Sequence, residues 1–399
     1  MRFRVAAASG ILLLSLAGCA APAAPSTTEP TSEGDGHGHI EGAQELAEPA
    51  LHLTTVDEKG SVHHLDLLDE EDSVLADIDP VEEVVSDGRY LFGIRDGSVT
   101  VIDSGVWTWS HIDHFHYYEA PARVIGDVSG NGTPAVVTGE VGVGVRFDDE
   151  AVLLDTAALA DGRIEETFRI AAEGDGVVVP LTSGAVLTDA GAGAEQPGTV
   201  RVVGNDGTAS EELPCASASG TITTVVGVVI GCADGALLFA GGAPEAHERI
   251  PYPQATAPAA TSFAAREGRP SVAALAGETG VWILDTRERA WTLVDVGEPL
   301  VHVAAVDDAE GRVLALTADG AVIVLAGGAV VSRTEPLVSA SLADDEVAPH
   351  VRFVVDQNRA YLNGPLEQTM WEIDPADGAR LSRVFETAST PLHLAGTGR

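Results

Sequence analysis

At 399 residues the chain is long enough for one large all-β domain or two ordinary ones, and a hydrophobic fraction of 45% supplies an ample core. Sixty-one acidic residues against 22 basic ones give a formal charge of −39, a surface that repels nucleic acid and anionic headgroups and excludes a DNA- or RNA-binding role. With aromatics at only 5%, the core must come from Val, Leu, Ala and Ile, with Gly between.

The chain begins with a targeting signal. Met1-Arg-Phe-Arg4 is basic, and Val5–Ala17 is apolar but too short for a comfortable membrane span. Leu16-Ala17-Gly18-Cys19 resembles a bacterial lipobox, which implies cleavage of residues 1–18 and lipid on Cys19. The plainer alternative is an ordinary secretory signal with an incidental cysteine. Either way the expectation is a chain working outside the cytoplasm, in the first case lipid-anchored to the bacterial cell membrane without spanning it.

Residues 19–50 are rich in Ala, Pro, Ser, Thr, Glu and Gly without apolar periodicity and read as a flexible tether. Its distal part carries His37 and His39 between Asp35 and Glu41, a set suited to transient metal capture or to nothing more than adventitious binding.

From residue 51 to 399 the pattern is short β runs closed by Gly, Asp and Asn turns. The only helix candidate, Glu150–Ala160, reads equally well as a strand. Runs ending in an apolar residue and Asp recur at Val62–Asp66, Val99–Asp103, Ala151–Asp155, Val281–Asp285 and Met370–Asp374. Weaker copies lie at Val200–Gly204, Ala236–Ala240 and Ala321–Leu325, for a mean period of roughly 44 residues. That period with several strands per unit predicts an all-β β-propeller of eight blades, or seven as the alternative, each run being one late strand of a blade. Asp87-Gly88, Asp96-Gly97, Asp234-Gly235 and Asp319-Gly320 fit hairpins within blades. One strand, Leu51–Val56, precedes the first copy and another, Arg380–Thr387, follows the last, so one blade is expected to combine both chain ends and close the ring.

The chemistry concentrates in Asp103-Ser-Gly-Val-Trp-Thr-Trp-Ser-His111-Ile-Asp113-His114-Phe-His116-Tyr117-Tyr118, which holds three of the chain's twelve histidines within six residues. Imidazole with a carboxylate suits Zn²⁺, although Cu²⁺ and Ni²⁺ accept the same donors. In an extended segment His114 and His116 share a face, while His111 and Asp113 read as a preceding loop able to fold over the same ion. The bland alternative is a set of solvated or interface histidines in an aromatic hairpin. Removing Cys19 from the count of three leaves Cys215 and Cys232, an even pair in an oxidising compartment, expected as a structural disulfide rather than a redox pair. His63-His64 alternates across a strand and reads as structural. Asp127–Thr133 reads as a Gly-Asn turn rather than a Ca²⁺ loop, and His247, His302, His350 and His393 read as isolated. No G-x-S-x-G, HExxH or P-loop is present, so the expectation is not an enzyme, with a hydrolase in the axial funnel the remote exception.

Together, signal, His-bearing arm, propeller repeat and histidine block resemble the AztD-type zinc metallochaperones. The resemblance continues through Leu213-Pro-Cys215, Gly231-Cys232-Ala-Asp234-Gly, Asn358-Arg-Ala-Tyr361, Glu372-Ile-Asp374-Pro-Ala-Asp-Gly378 and Thr397-Gly-Arg399. It implies an extracytoplasmic monomer with Zn²⁺ as cargo, passed to the solute-binding protein of a zinc ABC importer. His111, Asp113, His114 and His116 would bind the ion and His37 and His39 would capture it. The chain departs from the family at Glu173-Gly-Asp175-Gly and after Cys215, where family histidines are absent; Asp175 offers a carboxylate in one of those regions. The alternative expectation is an interaction propeller that has lost part of the zinc site.

Overall fold

The computed structural model describes residues 38–111, 114–190, 197–254 and 258–399. All eight repeat copies fall on one strand position, the third strand of a four-stranded antiparallel sheet. Burial explains why that strand stands out. Ser98–Asp103 is buried at every position and Thr369–Asp374 at all but the first, so the strand is covered on both faces and its apolar residues are not confined to alternate positions. The closing Asp has its own cause. Oδ1 of Asp66, Asp103, Asp155, Asp285 and Asp374 each accepts the backbone N–H two residues on, at 2.6, 3.2, 2.8, 2.9 and 3.0 Å. This Asx turn ends the strand and redirects the chain. After Asp155 it also caps a one-turn helix, Thr156–Ala160, so Glu150–Ala160 is strand first and helix second.

The first ten strands position the site. They are β1 (Gln44–Leu46), β2 (His52–Val56), β3 (Ser61–Asp66), β4 (Asp72–Asp77), β5 (Glu83–Ser86), β6 (Tyr90–Arg95), β7 (Ser98–Asp103), β8 (Val106–His111), β9 (His114–Glu119) and β10 (Arg123–Ser129). β5, β6, β7 and β10 form one sheet, and six further sheets follow within 135–171, 178–214, 221–251, 260–295, 300–333 and 353–386. Repeated four-stranded antiparallel sheets are the building pattern of a β-propeller. The remaining four-stranded sheet joins the chain ends: His393–Thr397 pairs along all of β2, followed by β3 and β4. Arg380–Glu386, offered by the sequence as the leftover strand, is instead the fourth strand of the last sheet. Buried Asn363 ties the two together, donating through Nδ2 to the carbonyls of His350, Pro391 and Leu392 and accepting from the Arg352 N–H through Oδ1.

Cys215 and Cys232 are bonded, with Cα atoms 5.1 Å apart, and link the ends of the strands Ala209–Pro214 and Gly227–Cys232 of neighbouring sheets. Closing a 17-residue separation restricts the unfolded chain by about 3 kcal/mol. The Cys215→Ala/Cys232→Ala variant should therefore lose about 3 kcal/mol in urea unfolding and become insensitive to reductant. An unchanged midpoint would show that packing alone holds this junction.

The third-to-fourth strand connection after β7 is enlarged into the β8–β9 hairpin. With β1 the hairpin makes a separate three-stranded sheet ordered β1-β9-β8. β1 lies inside the segment the sequence reads as tether. Its three residues are too few and too polar to announce a strand, and they are ordered by the open edge of β9, pairing Gln44 with Glu119, Glu45 with Tyr118 and Leu46 with Tyr117.

Candidate metal centre

The hairpin is rooted in a buried ion pair. Asp103 is 2% exposed and accepts both Nε and Nη2 of Arg89, at 3.0 and 2.9 Å, and Nη2 of Arg123 at 3.4 Å. The Arg89 guanidinium also lies over the Trp107 ring, 3.7 Å from its centroid. Gly105 makes the reversal into β8: its φ is +81°, and a Cβ there would strike the Ala120 carbonyl. Thr108 fastens the outer edge of β8, donating through its hydroxyl to the Gly398 carbonyl at 2.8 Å. The block is thus carried on a braced strand pair.

The β8–β9 register places Trp107 opposite Tyr118, Trp109 opposite His116 and His111 opposite His114. His111 is therefore the last residue of a strand and not part of a loop as the sequence suggested; the aromatic cross-strand pairs carry the ladder up to the His111–His114 pair. Trp107 stacks on Tyr118 with ring centroids 5.1 Å apart, and Trp109 stacks on His116 at 5.5 Å. These rings fix the His116 plane and cover it: His116 is buried, while His114 nearer the tip is exposed.

The two imidazoles face each other, with His114 Nε2 2.9 Å from His116 Nε2. Two nitrogens on one tetrahedral Zn²⁺ stand about 3.3 Å apart, given Zn–N bonds of about 2.0–2.1 Å, so a small rotation of the exposed ring would admit the ion. On its other side His116 Nδ1 lies 2.7 Å from Glu45 Oε1 on β1. Burial, followed by the Glu45 charge, pushes the Tyr118 phenol pKa up. The pair fits half of a four-donor zinc site. Among the described residues no group of three His, Cys, Asp or Glu side chains is placed to hold a metal ion. Asp113, the His111 side chain, His37 and Cys19 lie outside what the structure describes. His39 belongs to the N-terminal unit 1–39, distinct from the unit 40–399 that carries the block.

The other candidates have structural partners. His64 is bonded through Nε2 to Thr397 Oγ1 at 3.0 Å and stacks on His52 at 3.9 Å, and His63 Nδ1 lies 3.4 Å from Asp72. His350 and His393, isolated in sequence, pack edge to face with centroids 4.7 Å apart. His302 meets Phe353 edge-on, and His247 lies 3.8 Å from Glu211. In the Asp127–Thr133 turn, Asp127 accepts the Thr100 hydroxyl and the Asn131 amide donates to Asp149. Exposed Asp175 adjoins carbonyls of Glu173 and Gly174 that the Arg146 guanidinium occupies, a cation where a metal would be repelled. Sequence reasoning missed Glu45, one acid among 61, because nothing local marks it; only the β1–β9 register brings it to the block.

No protein-family model matches the chain, and no curated protein matches its sequence. Solved structures do match. Apo AztD from Citrobacter koseri superposes with a TM-score of 0.74 at 21% identity, covering 88% of this chain and 98% of its own, and a second Citrobacter koseri AztD structure gives the same values. BamB from Moraxella catarrhalis follows at a TM-score of 0.50 and 12% identity, covering 80% of this chain and 90% of its own. Chaetomium thermophilum Sqt1, solved bound to the N-terminus of ribosomal protein L10, gives 0.51 at 14% identity and covers 82% and 95%. At these identities the likeness speaks for architecture: across 88% of its length, this chain has the fold of AztD.

Proposed function

We propose that the chain is an AztD-type zinc metallochaperone, an eight-bladed propeller closed by the sheet that joins its two ends. In this reading it is anchored outside the cytoplasm by lipid on Cys19 and delivers Zn²⁺ to the solute-binding protein of a zinc ABC importer. The observation that carries the reading is the pair of Nε2 atoms of His114 and His116 turned toward each other on a braced hairpin. His111, at the adjoining strand end, and Asp113, one residue before His114 in the sequence, are the natural source of the third and fourth donors. The AztD fold supports the assignment.

Unequal burial gives the site a direction of transfer. His114 is exposed and His116 is buried, so an incoming donor displaces His114 first, while His116 retains the ion until the acceptor's coordination is nearly complete. Exchange one donor at a time avoids a bare, fully desolvated cation.

The test is a competitive zinc titration of the chain from Glu33 onward. One tightly bound ion per chain, passed to a solute-binding protein faster than its spontaneous dissociation, supports the reading. Weak binding of several ions would overturn it and leave a propeller acting as an interaction scaffold.

A further inference from the structure

Glu45 takes no part in the ligand set above, yet its contact decides which nitrogen of His116 is available. An ionised carboxylate accepts hydrogen bonds and donates none, so the 2.7 Å contact from Oε1 places a proton on His116 Nδ1. In the neutral ring Nε2 then carries a lone pair. The next contact agrees. Of two ring nitrogens 2.9 Å apart one must donate, and with His116 Nε2 bare the donor is the Nε2–H of His114. The metal-free pair is a relay from His114 through His116 to Glu45, with the lone pair of the buried ring already turned to where a cation would sit; exposed His114 shifts its proton to Nδ1 through solvent before its own Nε2 can ligate.

We propose that Glu45 is a positioning residue that locks His116 in its Nδ1–H tautomer, and that β1 is the releasable clip that applies the lock; the proposal deepens the zinc-binding reading and rests on it. A carboxylate behind a metal-bound imidazole orients the ring and strengthens its donor nitrogen. What is particular to this chain is how the carboxylate is delivered. β1 has three residues, forms the edge of its sheet and, among the described residues, pairs with one strand, β9. Its Glu45 and Gln44 side chains are exposed, so little apolar burial opposes its release. Peeling β1 away withdraws Glu45, and His116 then exchanges with the Nε2–H form, which cannot ligate through that atom. Because β1 follows directly on the His-bearing arm, a partner engaging the arm would weaken the site at the moment of delivery. Reciprocity requires the converse: a cation bound at His116 strengthens the hold of β1.

Three readouts test this on the full mature chain, beginning with the metal-free protein. Nitrogen chemical shifts of His116 should report Nδ1–H with an unprotonated Nε2 in the wild type, and a tautomer mixture in Glu45→Ala with the hairpin otherwise folded. Zinc affinity should fall by about 10- to 100-fold in Glu45→Ala, with partial recovery in Glu45→Asp. Amide exchange at 44–46 should slow on adding zinc to the wild type and stay unchanged in Glu45→Ala. An Nε2–H tautomer in the wild type, or an alanine variant with unaltered tautomer and affinity, overturns the proposal. A locked tautomer in a wild type that binds no zinc supports the role of Glu45 and sinks the zinc reading alone.

Discussion

Replacing His114 and His116 together by alanine should reduce zinc affinity by about a thousandfold or more while leaving the fold intact. Structural zinc sites with four donors hold the ion with about 10–16 kcal/mol, on the order of 3 kcal/mol per donor, so two lost imidazoles exceed any loss from an orienting partner. The single variants should differ. His114 is exposed and water can take its place on the ion, so His114→Ala is the milder change. His116→Ala removes a buried ring stacked on Trp109 and leaves Glu45 without its partner, so it should cost more affinity and about 1 kcal/mol of stability as well. Competitive titration against a chelator, beside urea unfolding of each variant, separates the two effects. A double variant that binds zinc as the wild type does would remove the block from the mechanism. Adding His111→Ala then reads the contribution of the strand end opposite His114.

How much of this could be read from the residues depends on how local each cause is. The third strands were legible because two local forces mark them: burial of the whole run, and the Asx turn that each closing Asp makes two residues on. The His114–His116 juxtaposition was legible as well, since it follows from strand alternation. Features created by a distant partner were not. β1 exists because β9 offers an edge, and Glu45 reaches His116 across 71 residues of sequence. His393–Thr397 escaped notice because it is short, contains Gly396 and follows Pro391, which made the longer Arg380–Glu386 the more obvious strand. The root of the hairpin was hidden for a different reason. Asp103 looked like one more closing Asp, and only the fold shows that the Arg89 and Arg123 guanidinium groups both converge on it.

Acid should unfold this protein from the sheet that joins its ends. Burial, followed by the charge of neighbouring His52, lowers the pKa of His64 from 6.5 to about 3. Burial, then His350 and Arg352, lowers that of His393 from 6.5 to about 4. Both rings are therefore neutral in the folded protein near neutral pH and gain no proton until the medium is strongly acid. In the unfolded chain each would take up a proton near 6.5, so the unfolded state binds more protons throughout the interval between the two values. The sign follows: the stability associated with these rings is intact above pH 6.5 and is lost as pH falls, down to about 4 for His393 and about 3 for His64. At pH 5 the loss is about 2 kcal/mol for each ring, about 4 together. Its location is specific. His64 on β3 holds Thr397, Thr397 is 2.9 Å from Thr54 on β2, and His393 begins the strand that β2 pairs with, so both protonations strike the same four strands. Urea unfolding between pH 7.5 and 5 should show the decline, and His393→Leu should reduce its slope by up to about 1.4 kcal/mol per pH unit even if the variant is less stable at pH 7.5. Identical slopes in variant and wild type would mean that His393 already accepts its proton in the folded state, and that acid acts elsewhere. Hydrogen exchange at pH 5 gives the independent check, since amides of β2 and 393–397 should lose protection before those of the sheet at 260–295, which carries no histidine.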